Sequence, residues 1–206
     1  MSAQYSDDLA YVREVAEAGV SAPLLGGRFL VWWGGLVTAA YIAHYAIITG
    51  LAGLPIDYLG IMWLAFVALG LGGYFAMLRF FPASKPGASS VGNRVSANVW
   101  MASGFVLGSF FTGVTLKSLI DGQASMGFNW SIPLVLGVYG ISQLVSGLMA
   151  KSTALVFAGY AAIASVGLTA LIVDRPELYL AAAGAAAVTV LIPGIMMLRD
   201  EPSTTV

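Results

Sequence analysis

His44 is the only histidine of the chain, with Tyr41 three positions before it on the same helical face and Tyr45 beside it. An imidazole among phenols can sense pH, exchange a proton or ligate a metal. A single histidine in a chain with no cysteine builds neither a His-rich zinc site nor a thiolate centre. As a haem ligand it could act only singly, because bis-histidine ligation within one chain is impossible. Three readings of His44 therefore stand: a hydrogen-bonded structural residue near the outer interface, a pH or ligand sensor, and a cofactor ligand. The composition gives no cause to expect a cofactor or a bound metal.

Gln143, with Ser142 adjacent and Ser146 one turn on, is the other group that could do chemistry. An amide within an apolar span must bond a neighbouring helix, a water or a solute, because an unpaired one is costly there. Ser103, Ser109, Thr112, Ser165, Thr169 and Thr189 could extend a polar path, although hydroxyls also bond back onto their own helix. There is no HExxH, GxSxG or phosphate-loop pattern and no carboxylate pair within a span, so no enzyme is expected. Lys117 and Asp121, four apart, read as an exposed ion pair of little energetic weight.

The elements that position these residues follow from composition. Of 206 residues, 59% are hydrophobic and 9% charged, a surface that only lipid could solvate. Apolar stretches at 29–48, 59–78, 98–116, 128–150, 153–173 and 178–198 contain no Asp, Glu, Lys or Arg. Each supplies the ~20 residues that an α-helix needs to cross ~30 Å of hydrocarbon, and their continuity excludes barrel strands, which alternate. The expected fold is all-α: a polytopic integral membrane protein of six transmembrane helices in three antiparallel hairpins. Charge-free spans also argue against ion-coupled transport, which needs an intramembrane acid or base.

Orientation follows from the basic residues. With a cytoplasmic N-terminus, Arg13, Arg28, Arg79, Lys85, Arg94, Lys151 and Arg199 lie inside and only Lys117 and Arg175 outside. Both termini are then cytoplasmic. Trp32, Trp33, Phe80, Phe81 and Trp100 fall near the inner interface and Tyr58, Trp130 and Tyr179 near the outer one, as depth anchors. Three regions result: residues 1–27, an N-terminal cytoplasmic amphipathic helix (7–20) with its linker; 28–199, the transmembrane domain; and 200–206, a cytoplasmic tail. The amphipathic helix either covers the inner ends of the bundle or docks a soluble partner. The Pro-, Ser- and Gly-bearing link 82–97 reads as a mobile cytoplasmic loop.

Small residues at four-residue spacing predict the packing faces: Ala68, Gly72 and Ala76 in the second span, Gly104, Gly108 and Thr112 in the third, and the alanine ribbon 181–187 in the sixth. Pro193-Gly194 should kink the last helix, and Pro133 falls in the first turn of the fourth. Similar openings of the odd spans and closings of the even ones, such as Met77-Leu78-Arg79 and Met197-Leu198-Arg199, leave an internal triplication open.

Tyr11-Val12-Arg13-Glu14 on the amphipathic lead-in, followed by the run from Leu25-Gly26-Gly27-Arg28 to Trp32-Trp33-Gly34, resembles a broad group of uncharacterised bacterial six-helix inner-membrane proteins. Those proteins often accompany transcription regulators. The resemblance implies a bacterial cytoplasmic-membrane protein with a regulatory, sensory or accessory role, and it carries over no functional residue. The expected partners are the lipid bilayer and a cytoplasmic protein or membrane complex, with a homo-oligomer left open. With a net charge of −1 and no basic tract, nucleic acid is not among them. The alternative is a facilitator for a small neutral solute, which needs only hydroxyls, amides and close-packed helices.

Overall fold

The computed structural model describes residues 23–81, 85 and 87–201, and those residues contain helices, turns and no strand. Six helices are long and apolar enough to cross a membrane: α1 Gly27–Ile48, α2 Tyr58–Phe80, α3 Val91–Asp121, α4 Gly127–Met149, α5 Thr153–Leu171 and α6 Glu177–Asp200. The amphipathic segment expected at 7–20 lies outside the described residues, as does the tail from 202 onward.

Five of the six spans keep within a few residues of their expected bounds. The exception is α3, which begins at Val91, seven residues before the apolar stretch starts. Ser90 sits at the N-cap in an extended conformation, and its hydroxyl accepts the Asn93 N–H at 3.3 Å, which nucleates the helix upstream of Asn98. Hydropathy marks where hydrocarbon begins, whereas capping marks where the helix begins. Much of the link expected to be a mobile loop is therefore helix. At its other end α3 runs to Asp121, where Gly122 closes it at φ +66°, and Lys117 pairs with Asp121 at 2.6 Å on its exposed last turn.

The interior is built from α1, α4, α5 and α6. Helix α1 packs most extensively on α6, and α4 on α5, while α2 touches α1 alone and α3 touches α4 alone among the described elements. The two tight pairs use the same device. Gly27 and Gly34 of α1 face the backbone of Leu198 and Leu191, and Gly194 of α6 faces Leu30 and Val31. Likewise Gly140 and Gly147 of α4 face Ile163 and Val156, and Gly159 of α5 faces Leu144. A methyl group at any of these six would come within 2.5–2.8 Å of the opposing helix, so hydrogen is the only side chain that permits the contact.

The faces expected to hold the bundle lie elsewhere than expected. Ala68, Gly72, Ala76, Gly104, Gly108 and Thr112 are all exposed, and nothing lies within 4 Å of a Cβ built on Gly72, Gly104 or Gly108. The close contacts use glycines seven residues apart instead of four, one every second turn, with leucine or isoleucine filling the turns between. The alanine ribbon does pack, with Ala182, Ala183 and Ala186 buried. On α2, Gly70 and Gly73 accept the flat rings of Trp33 and Trp32, and Trp32 Nε1 donates to the Gly70 carbonyl at 3.3 Å. These tryptophans join α1 to α2.

Proline shapes two helices. Pro133 is buried in the second turn of α4, one turn deeper than expected. Around Pro193, α6 changes register: residues Ala187–Leu191 form a π-helical turn immediately before it. Pro193 has no N–H to give to the carbonyl of Thr189, four residues earlier, so the regular α-helical ladder cannot continue through this stretch.

Candidate functional site

Polar side chains gather at three levels of the bundle. At the end carrying the outer expected residues, His44 is the centre of an aromatic cluster. Trp63 on α2 donates its indole N–H to His44 Nδ1 at 3.0 Å, which places the proton of the neutral ring on Nε2. The imidazole stacks on Tyr179 of α6 with centroids 3.6 Å apart and planes 15° from parallel. Tyr179 in turn donates its hydroxyl to Asn129 Oδ1 at 2.7 Å, so α1, α2, α4 and α6 all hold the ring in place. Tyr41 is buried edge-on to Trp63 and tilted against Tyr179, while Tyr45 is only partly buried beside the same cluster. Tyr179, expected as an interfacial anchor, is instead 7% exposed and belongs to this site. An imidazolium would set an N–H on Nδ1 against the Trp63 N–H, so ring protonation and the Trp63 contact exclude each other.

At the middle level, α4 reaches its neighbours through hydroxyls and one amide. Ser142 and Ser146 pair with Ser103 and Ser96 of α3 at 2.7 and 2.8 Å, two rungs of a ladder. On the other face of α4, Gln143 is fully buried and its Nε2 donates to the Thr189 carbonyl at 2.7 Å. That acceptor lies four residues before Pro193, which has no N–H to offer it. The three expected residues therefore share one helix turn but serve two different interfaces. Gln143 Oε1 and Thr38 Oγ1 are buried without a hydrogen-bond partner among the described residues. Of the hydroxyls that might have extended a path, Thr112, Ser165, Thr169 and Thr189 bond back to carbonyls of their own helices.

The third level, at the Arg28 end, was not foreseen. Helix α1 begins at Gly26-Gly27 with no side-chain cap, and Glu201 supplies one from the far end of the chain. Its Oε1 accepts the N–H groups of Gly26 and Gly27 at 3.0 and 3.1 Å, and its Oε2 meets Lys85 Nζ at 2.6 Å. Arg28 approaches the same oxygen at 3.8 Å and donates to the Phe81 carbonyl at 2.9 Å. The Glu201 side chain is 1% exposed. Burial would raise its pKa, but the Lys85 and Gly26 hydrogen bonds and the charges of Lys85 and Arg28 outweigh it, holding the carboxyl below the ordinary glutamate value.

Beside this cluster, Asn93 accepts the Leu25 N–H at 2.7 Å and donates to the carbonyls of Pro23 and Gly87. Together Glu201 and Asn93 tie the ends of α1, α2, α3 and α6 and the link before α3 into one network. A sequence signal for this existed: a helix start without Ser, Thr, Asp or Asn needs an acceptor from elsewhere.

None of the three levels sets a nucleophile beside a base, and no group of three His, Cys, Asp or Glu residues that could hold a metal occurs among the described residues. No family model, curated protein or solved structure matches this chain.

Proposed function

We propose that this chain is a regulatory, sensory or accessory subunit of the bacterial cytoplasmic membrane, acting through the face that carries Arg28, Lys85, Asn93 and Glu201. The observation behind this reading is the buried Glu201 carboxylate, on which the start of α1, Lys85 and the end of α6 converge. A change in any one of those segments is felt by the others, which is what a face that exchanges signals with a partner requires. The seven-to-two bias of basic residues assigns this face to the cytoplasm, together with both termini. In the three-hairpin arrangement every odd span opens and every even span closes on it. The amphipathic segment 7–20 is then the docking element for a cytoplasmic partner.

Affinity purification of the full chain in mild detergent tests the reading. A stoichiometric protein partner that is lost on deletion of residues 1–22 supports it; a chain that copurifies with nothing and behaves identically after the deletion refutes it. A second reading, a facilitator for a small neutral solute, draws on one observation: Gln143 Oε1 is a fully buried acceptor with no donor among the described residues. Solute flux into proteoliposomes that survives the same deletion and falls on Gln143→Leu would favour that reading over the first.

A further inference from the structure

Next to the Arg28 cluster, an open groove of about 350 Å³ runs along α1 toward the middle of the bundle. Its apolar walls are Val31, Trp32, Gly35 and Leu36 of α1, Met77 of α2 and Leu198 of α6, and Arg28 lies at its end. From Arg28 to Gly35 is seven residues, or ~10 Å along the helix at ~1.5 Å per residue. A cation at the end of an open apolar groove of that length is complementary to a phosphate joined to an acyl chain.

The charge at the mouth is not cancelled from within. Glu201 meets Lys85 at 2.6 Å and Arg28 at 3.8 Å, so two cations share one carboxylate and a net positive charge remains beside the groove. The floor is open because Gly35 has no side chain, and nothing lies within 4 Å of where its Cβ would be. The second open groove, lined by Ala43, Ala46, Ile61, Met62 and Ala65 at the opposite end, has no charged residue in its lining and no such complementarity.

We infer that the Arg28 groove is a binding site for one anionic glycerophospholipid of the adjacent leaflet, its phosphate on Arg28 and one acyl chain along Gly35. The site is independent of the regulatory reading above and would stand if that reading fell.

Gly35→Leu provides the test, because nothing lies within 4 Å of a Cβ at that position and the larger side chain occupies the groove instead of a neighbouring backbone. The full chain, purified in detergent, is mixed with phosphatidylglycerol or phosphatidylcholine and bound lipid is counted by native mass spectrometry. The wild type should retain one phosphatidylglycerol, preferred over phosphatidylcholine by about fivefold, as roughly one effective basic contact gives. Gly35→Leu should lose that lipid while Gly104→Leu, equally open but on the outer face of α3, keeps it. Arg28→Gln should lower the preference toward one. Excess inorganic phosphate should not displace the lipid. Retention of the lipid by Gly35→Leu, equal binding of the two headgroups by the wild type, or displacement by phosphate alone would each overturn the assignment.

Discussion

Gln143 and Pro193 are far apart in sequence, yet the structure makes them thermodynamic partners through one carbonyl. Pro193 withholds the N–H that Thr189 would receive in a regular helix, and Gln143 Nε2 donates to the same carbonyl at 2.7 Å from a fully buried position. Gln143→Leu keeps most of the volume and removes the donor. An orphaned buried acceptor costs about 1–3 kcal/mol in general, while interhelical hydrogen bonds in membrane proteins average about 0.6 and reach about 1.7 kcal/mol. The substitution also removes Gln143 Oε1, a buried acceptor without a partner, which offsets part of the loss. A net cost near 1 kcal/mol is therefore expected in the wild-type background. Pro193→Ala restores a backbone N–H four residues beyond Thr189, so the same Gln143→Leu change should become nearly neutral there. The coupling energy of the double-mutant cycle should be about 1 kcal/mol, read from reversible unfolding in mixed detergent–SDS micelles. A cost for Gln143→Leu that is the same in both backgrounds, within about 0.3 kcal/mol, would refute the account of the π-helical turn.

Other perturbations separate the remaining parts of the argument. Alanine at Gly34 or Gly147 should destabilise by well over 1 kcal/mol, because the opposing backbone cannot yield, whereas alanine at Gly72 or Gly108 should be neutral or stabilise by up to about 1 kcal/mol; equal thermal shifts for the two groups would contradict the packing scheme. Since the folded pKa of Glu201 lies below the ordinary value of about 4.3, its stabilising contribution is complete above roughly pH 5 and is lost as pH falls through the depressed folded value. The melting-temperature gap between wild type and Glu201→Gln should thus be flat at neutral pH and close in acid; a gap that opens only in acid would have the wrong sign. Trp63→Phe should release His44 from its fixed Nε2–H tautomer, which nitrogen-15 shifts of the only histidine report without assignment; an unchanged tautomer would remove Trp63 from the site.

The sequence by itself determined that the chain is helical and that six of its helices are long and apolar enough to cross a membrane. Those properties depend on hydropathy summed over ~20 residues and on where charge is tolerated, and both are local in the chain. It also singled out His44 and Gln143, because a polar group in hydrocarbon stands out against its neighbours. It could not say what they touch: whether Gln143 meets a solute or the carbonyl opposite Pro193 depends on α4 and α6 lying side by side. The packing faces were misjudged for the same reason, since Gly72 and Gly34 look alike in the chain and differ only in whether another backbone lies opposite. Glu201 is the clearest case. In sequence it is one acid in a polar tail, and only the return of α6 to the start of α1 makes it the cap of the first helix, buried and paired with Lys85. Tertiary structure decided these roles because each depends on a partner on another element, from 19 residues away for Trp63 at His44 to 175 for Gly26 at Glu201, and the free energy of a buried polar group is set by that partner and not by its sequence neighbours.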